Sequence, residues 1–270
     1  MADLRDWIGR EDVAGDTLTP ALVARFAATL DEAPPKGDAA PLAIHLCLAP
    51  PAVPASGLGH DGHPALGGFL PPVPLPRRMW AGGEFAFHAP LRVGDRVLRR
   101  SVIRDVQEKQ GRTGRLVFVT VDHALSVDGR LCITERQDIV YRDTGAPPPP
   151  VVDPAPSGQW QAVVRPDATL LFRYSALTFN GHRIHYDLDF ARGVEGYPGL
   201  VVHGPLLATQ LCRMAERLRG VPPARFRFRS LSTLFHDAPY ALNAAEDGPA
   251  LRLWAARPGG PVAMEAVADW

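Results

Sequence analysis

Leu116, Phe118 and Thr120 alternate with Val117, Val119 and Val121, a period-two pattern that predicts a β-strand with two faces. EFAFHAPL (residues 84–91), VLRRSVIRDVQ (97–107) and RLCITERQDIVYR (130–142) predict further strands, the last entered through a turn at Asp128-Gly129. Ahead of them, TPALVARFAATLDE switches to a helical period. Thr19 is a capping residue, Pro20 suits the first helical position, and Leu22, Val23, Phe26 and Leu30 share one face. Residues 205–220, PLLATQLCRMAERLRG, predict a second helix, closed by Gly220. Around it QWQAVV, FRFRSLSTLF, ALRLWAAR and PVAMEAVADW predict strands, the last two joined through Pro258-Gly259-Gly260-Pro261.

The order of helix then strands occurs twice. Phe85-x-Phe87 is repeated 141 positions later as Phe226-x-Phe228, which predicts a duplicated α+β unit. Two proline-rich tracts, residues 33–76 and 145–158, favour extended connections. The second divides the chain into an N-terminal unit, 1–145, a linker, 146–158, and a C-terminal unit, 159–270.

Composition narrows the classes. Lys and Arg together equal Asp and Glu at 29 each, so the zero net charge argues against nucleic-acid binding driven by overall phosphate attraction. Cys47, Cys132 and Cys212 are far apart and odd in number, which fits a reducing compartment better than a disulfide or zinc framework. The charged opening MADLRDWIGRED has no apolar core of a signal peptide, and no apolar run is long enough to span a bilayer. The expectation is a cytoplasmic protein.

Chemistry concentrates in YSALTFNGHRIHYDLDFARGVEGYPGLVVHG, from Tyr174 to Gly204, which holds three of the nine histidines. A helix beginning after Gly204 directs unpaired N–H groups and its positive dipole end at whatever lies beside that glycine. This can hold a carbonyl oxygen that gains charge during reaction. A histidine beside that oxygen moves protons near neutrality. Plainer readings exist: His185 as a packing residue, Gly204-Pro205 as a simple helix start, Asp187 as the cap of a short helix near Leu188. HRIH lacks the neighbours of a standard zinc site, and no GxSxG marks a serine nucleophile.

TFNGHRIHYDLDFARGVEGYPGLVVHGPLLA resembles the signature of MaoC-like (R)-specific enoyl-CoA hydratases. NGHRIHYD followed by EGYPGLVVHGPL is similar to the double-hotdog branch with mesaconyl-C4-CoA and itaconyl-CoA hydratases and 3-hydroxyacyl-thioester dehydratases. PLPRRMWAGGEFAFHAPLRVGD resembles the N-terminal hotdog of the same branch. The resemblance implies an α+β double hotdog, each half a curved antiparallel sheet wrapped around a helix. The catalytic motif would lie in the C-terminal half and the N-terminal half would accommodate substrate. It implies a hydro-lyase acting on an acyl-CoA thioester, without metal or other cofactor, as a homodimer. His185 falls on the family's catalytic histidine and Gly204 on the glycine whose N–H holds the thioester oxygen. Asn180 stands where simpler hydratases carry an aspartate, so either His185 makes both proton transfers or another acid replaces the aspartate, with Asp187 and Asp189 as candidates. Arg183 is a candidate partner for a second substrate carboxylate. His203, Tyr174, Arg78 and Trp80 are candidates for binding the acyl-CoA. Thioester hydrolysis and a non-catalytic acyl-CoA or acyl-carrier binding module are the competing readings.

Overall fold

The computed structural model describes residues 3–111, 114–143 and 153–270; the first seven residues of the expected 146–158 linker lie outside them. The first half runs β1 (Glu11–Thr17), α1 (Pro20–Thr29), β2 (Arg77–Phe87), β3 (Arg96–Gly111), β4 (Gly114–Val127) and β5 (Arg130–Arg142). The second runs β6 (Trp160–Val164), α2 (Ala168–Leu177), α3 (Leu188–Gly193), α4 (Gly204–Arg219), β7 (Arg225–Ser230), β8 (Tyr240–Asp247), β9 (Ala250–Ala256) and β10 (Val262–Asp269). All strands join one antiparallel sheet in the order β1-β3-β4-β5-β2-β7-β10-β9-β8-β6. The order on one side of the β2–β7 seam mirrors that on the other, as a duplicated unit requires. At the seam Phe85 pairs with Phe226, the two positions that the sequence repeat equates. Their rings stack at 6.0 Å, and Phe228 continues the cluster onto Trp80 at 4.6 Å. The MWAGGEF stretch bends here: the register of β2 slips between Trp80 and Gly82, and Cβ atoms at Gly82 or Gly83 would strike the backbone of neighbouring strands.

The helices are less symmetric than the strands. The true counterpart of α1 is α2, which runs into the start of the histidine-rich segment. Thr19 and Asp167 cap them through side-chain oxygens, and both end on a positive-φ residue, Asp31 and Phe179. The next backbone N–H turns back five residues in each, Glu32 to Ala27 and Asn180 to Ser175. Glu32 thus occupies in the first half the place that Asn180 holds in the second. It faces α4, where it pairs with Arg213 and Arg217, a cross-brace between the halves. The long α4 lies on the inner sheet face of the second half through Leu207, Leu211 and Met214. In the first half that face is covered by Val23 and Phe26 of α1 together with Ile44, Cys47 and Leu48 of a short 3-10 turn and its exit.

The inner face of the first half also buries His45 and Glu135, 3.7 Å apart. Burial pushes the Glu135 carboxyl up to about 7 against the Gln137 hydrogen bond, and burial lowers His45 to about 3. Because the folded chain binds the Glu135 proton more tightly than the unfolded one, its stabilising contribution is complete below the ordinary carboxylate range. It is lost as pH rises toward 7. At 1.36 kcal/mol per unit the window spans ~3 kcal/mol. Glu135→Gln is expected to raise Tm more at pH 8 than at pH 5; a pH-independent Tm difference in thermal unfolding would contradict it.

Candidate active site

The excursion from Asn180 to Gly204 closes on itself through backbone bonds. Phe179 takes a positive φ, and the Asn180 side-chain oxygen accepts the His182 N–H at 3.0 Å, turning the chain into the 3-10 turn Arg183–His185. Asp187 then caps α3 by accepting from Phe190, as its position in the sequence predicted. The chain returns as an extended segment. Val201 N–H donates to Ile184 O at 2.9 Å, and Val202 N–H donates to Leu234 O. Residues 184 and 185 are therefore held directly against 201–203, the extended segment that leads into α4.

His185 is 7% exposed. Its Nδ1 donates to Val201 O at 2.8 Å, which assigns the proton to Nδ1 and leaves the Nε2 lone pair free. Its ring stacks on His203 at 3.6 Å, with planes 18° apart. Burial, opposed by the Val201 bond, lowers His185 to about 3, so it is a neutral imidazole near pH 7. His203 is fully buried and bonds Ser175 Oγ through Nε2 at 2.8 Å. It precedes Gly204 as the N-cap of α4 and makes no side-chain cap bond, so the first amides of the helix keep their orphan donors. The predicted imidazole and the predicted helix start thus meet, with His203 as the spacer that fixes both.

Trp80 lies over Gly204: a Cβ built on that glycine would stand 3.2 Å from Trp80 Cε3 and 3.7 Å from Ser230 Oγ. The indole Nε1 is buried without a hydrogen-bond partner among the described residues. Arg78, two residues earlier on the same face of β2, is the cross-strand partner of Tyr141. The Tyr141 hydroxyl is buried beside the Arg78 guanidinium and has no hydrogen bond of ordinary geometry among the described residues. Arg183 pairs with Asp187 at 2.7 Å, donates to His60 O and lies over Phe190 at 4.2 Å, so three of its five N–H donors are committed within the chain. Asp187 is held by that pair and by its cap bond, and Asp189 is exposed. Tyr174 also turns inward. It is 1% exposed, with its hydroxyl on Thr209 of α4 and its ring against His203, so it supports the site from behind.

The structure adds residues that the sequence reading missed. The proline-rich tract of the first half carries GHDGH (residues 59–63), and this loop docks on the catalytic segment. Arg183 N–H donates to Asp61 O at 2.9 Å, and Gly62 and Gly181 meet backbone to backbone. The His63 ring lies 4.0 Å from His182, tilted by 38°, and His182 meets His185 edge-on at 5.4 Å. Asp61, His63 and His182 bring ligand atoms within 4.8 Å of one another. Asp61 Oδ2 accepts the His63 Nδ1–H at 2.9 Å, which accounts for the approach of those two groups without an ion, and the His63 and His182 rings are tilted 38° to each other. A depression of about 570 Å³ on the outer sheet face, lined by Arg136, Arg227 and Arg229, contains none of these residues.

Residues 43–236 match the family described as hydroxyacyl-thioester dehydratase type 2. The chain is 46% identical over 274 residues to a mesaconyl-C(4)-CoA hydratase of Chloroflexus aurantiacus, covering 99% of this chain and 98% of that protein. Among solved structures it superposes on HtdX of Mycobacterium tuberculosis with TM-score 0.71 and 22% identity, over 96% of this chain and 99% of that one. A second protein of that organism, described as a double hotdog, gives TM-score 0.59 at 14% identity, over 97% and 95% of the two chains. The mirrored five-strand halves, the α4 helix start and the His185–His203 stack accordingly have one reading: the chain belongs to the hydroxyacyl-thioester dehydratase type 2 family, hydro-lyases of the double hotdog fold.

Proposed function

We propose that the protein reversibly hydrates the enoyl-CoA thioester of a dicarboxylic acid, of the mesaconyl-C4 kind. The observation that carries the reading is His185, neutral and tied at Nδ1, stacked on the residue that opens α4. Its free Nε2 accepts a hydrogen of the attacking water. The Gly204 N–H, in the positive field of the helix end, holds the thioester oxygen as the C2=C3 electrons move toward it. Trp80 packs over Gly204 and keeps bulk water from the enolate. Asn180 offers its amide as a water-orienting donor, since its oxygen already holds the His182 N–H.

The dicarboxylic substrate rests on two supports. One is the likeness to the Chloroflexus hydratase. The other is Arg78, an inward guanidinium opposite a buried phenol that has no other partner among the described residues. A carboxylate placed between them would receive a charge-assisted bond from each.

The test follows loss of enoyl-CoA absorbance alongside release of free thiol. Hydration without thiol release supports the reading; thiol release would make the protein a thioesterase, and tight binding without turnover a carrier. Arg78→Leu is expected to lower kcat/KM for mesaconyl-C4-CoA by about 10- to 100-fold, the loss of a charged hydrogen bond, and for crotonyl-CoA by less than about threefold. An equal loss on both substrates would remove Arg78 from carboxylate recognition.

A further inference from the structure

Addition of water to an enoyl thioester needs a proton taken from water and a proton delivered to C2. Asn180 can do neither near neutrality, and Asp187 is occupied as a cap and ion-pair partner. His185 has its Nδ1 on a backbone carbonyl and no carboxylate to balance an acquired charge. A carboxylate does reach the histidine cluster, from the other half of the chain. Asp61 Oδ2 accepts the His63 Nδ1 proton at 2.9 Å, and Oδ1 accepts the His63 backbone N–H at 3.1 Å. Burial raises the Asp61 carboxyl, but the His63 hydrogen bonds and charge outweigh it and hold it below the usual range, so it stays ionised. An ionised carboxylate only accepts, so His63 carries its proton on Nδ1 and presents a bare Nε2. This is the carboxylate–imidazole arrangement that orients a general base and stabilises the imidazolium it forms.

The loop is built to hold that pair in place. Gly59 N–H closes it on His63 O at 2.7 Å, Leu58 bridges Pro64, and Asp61 O takes the Arg183 N–H. The ring of His63 then lies 4.0 Å from His182, one ring short of His185.

We infer that His63 is the second acid–base residue of the site and Asp61 its positioning residue, an inference that rests on the hydration reading above. As the water oxygen bonds to C3, one O–H bond breaks and its proton passes to His63 Nε2. The C2=C3 π pair moves into the thioester, giving the enolate held by Gly204. The imidazolium, balanced by Asp61, returns that proton to C2 as the enolate electrons re-form C1=O and make the C2–H bond. His63 is neutral again and nothing else is consumed. His185 accepts the second hydrogen of the water throughout and fixes its approach.

His63 is faced by Asp61 on its own loop, by Arg78 from β2 and by His182 from the turn after α2, with His185 beyond it. Arg78 disfavours the imidazolium and Asp61 favours it. His63→Ala is expected to lower kcat by about 100-fold with KM within about threefold, His185 being left to make both transfers, and added imidazole is expected to restore part of the rate. Asp61→Asn keeps an acceptor for Nδ1 but removes the charge. It is expected to lower kcat and to move the acid limb of the kcat/KM profile down by about one pH unit or more. A merely structural aspartate would not move that limb. His63→Ala with kcat within about threefold of wild type overturns the inference, and so does Asp61→Asn with an unmoved limb; the latter decides if the alanine variant does not fold. A wild-type enzyme that hydrates no enoyl-CoA would instead remove the hydration reading itself.

Discussion

His185→Gln is expected to lower kcat for enoyl-CoA hydration by about 1,000-fold while KM and Tm stay near the wild-type values. Glutamine is the informative replacement because it preserves what is structural about the residue. Its amide can still donate to Val201 O, where Nδ1 now donates at 2.8 Å, and it fills most of the space beneath the His203 ring. It cannot take a proton in this pH range, and its oxygen is not placed where Nε2 is. Misplacing a reactant by about 1 Å costs about 10²-fold, and a water no longer held at Nε2 also gives up its proton less readily, which sets the expectation at about 1,000-fold. The thioester would still be bound by Gly204 and Trp80, so the loss belongs in kcat rather than KM. Hydration followed under saturating and limiting substrate separates the two. A rise in KM with unchanged kcat would make His185 a binding residue and shift the chemistry elsewhere in the cluster.

The strand framework was legible because its signals are local. Alternation along β4, the Asp128-Gly129 turn, with Asp128 at positive φ, and the Thr19-Pro20 helix start are written into adjacent residues. The Phe85/Phe226 repeat announced the seam, although no periodicity could reveal that the two positions face each other across it. What failed was non-local or overridden by context. ATLLFRYSAL forms α2, yet beside so many histidines its helical period was passed over. The helix of the first half was matched with α4 through the shared order of helix then strands, whereas the shared capping and positive-φ ends match it with α2. At the site, His185 and Gly204 could be placed because both lie in one motif. The Arg183–Asp187 pair could not, since an arginine four residues before Asp187 reads equally as a free cation and as a helical ion pair. Least visible was GHDGH. Within a proline tract it reads as a connector, and the only hint was two histidines and an aspartate packed between glycines. Its partner, Gly181, lies more than a hundred residues away.

That partnership gives the second large effect. Gly62→Ala is expected to lower kcat/KM by about 100-fold and to destabilise the protein by about 1–3 kcal/mol. Gly62 has φ +85, and a Cβ there would overlap the Gly181 carbonyl oxygen while standing 3.3 Å from Arg183 Cγ. Neither neighbour can yield cheaply. Gly181 is backbone whose own carbonyl accepts the Tyr186 hydroxyl, and Arg183 is bound to Asp187 and His60. The loop has to lift, and with it go the Asp61–His63 pair and the ring contact with His182. Gly94→Ala supplies the control. Gly94 has a comparable φ of +98 with nothing within 4 Å, so its variant carries the conformational strain without the collision. The pair, measured by thermal unfolding and by hydration kinetics, should lose stability together and part company in rate, with Gly94→Ala near wild type. If Gly62→Ala also kept the wild-type rate, the docking of the N-terminal loop would be architecture alone, and the acid–base machinery would have to be found wholly within the second half.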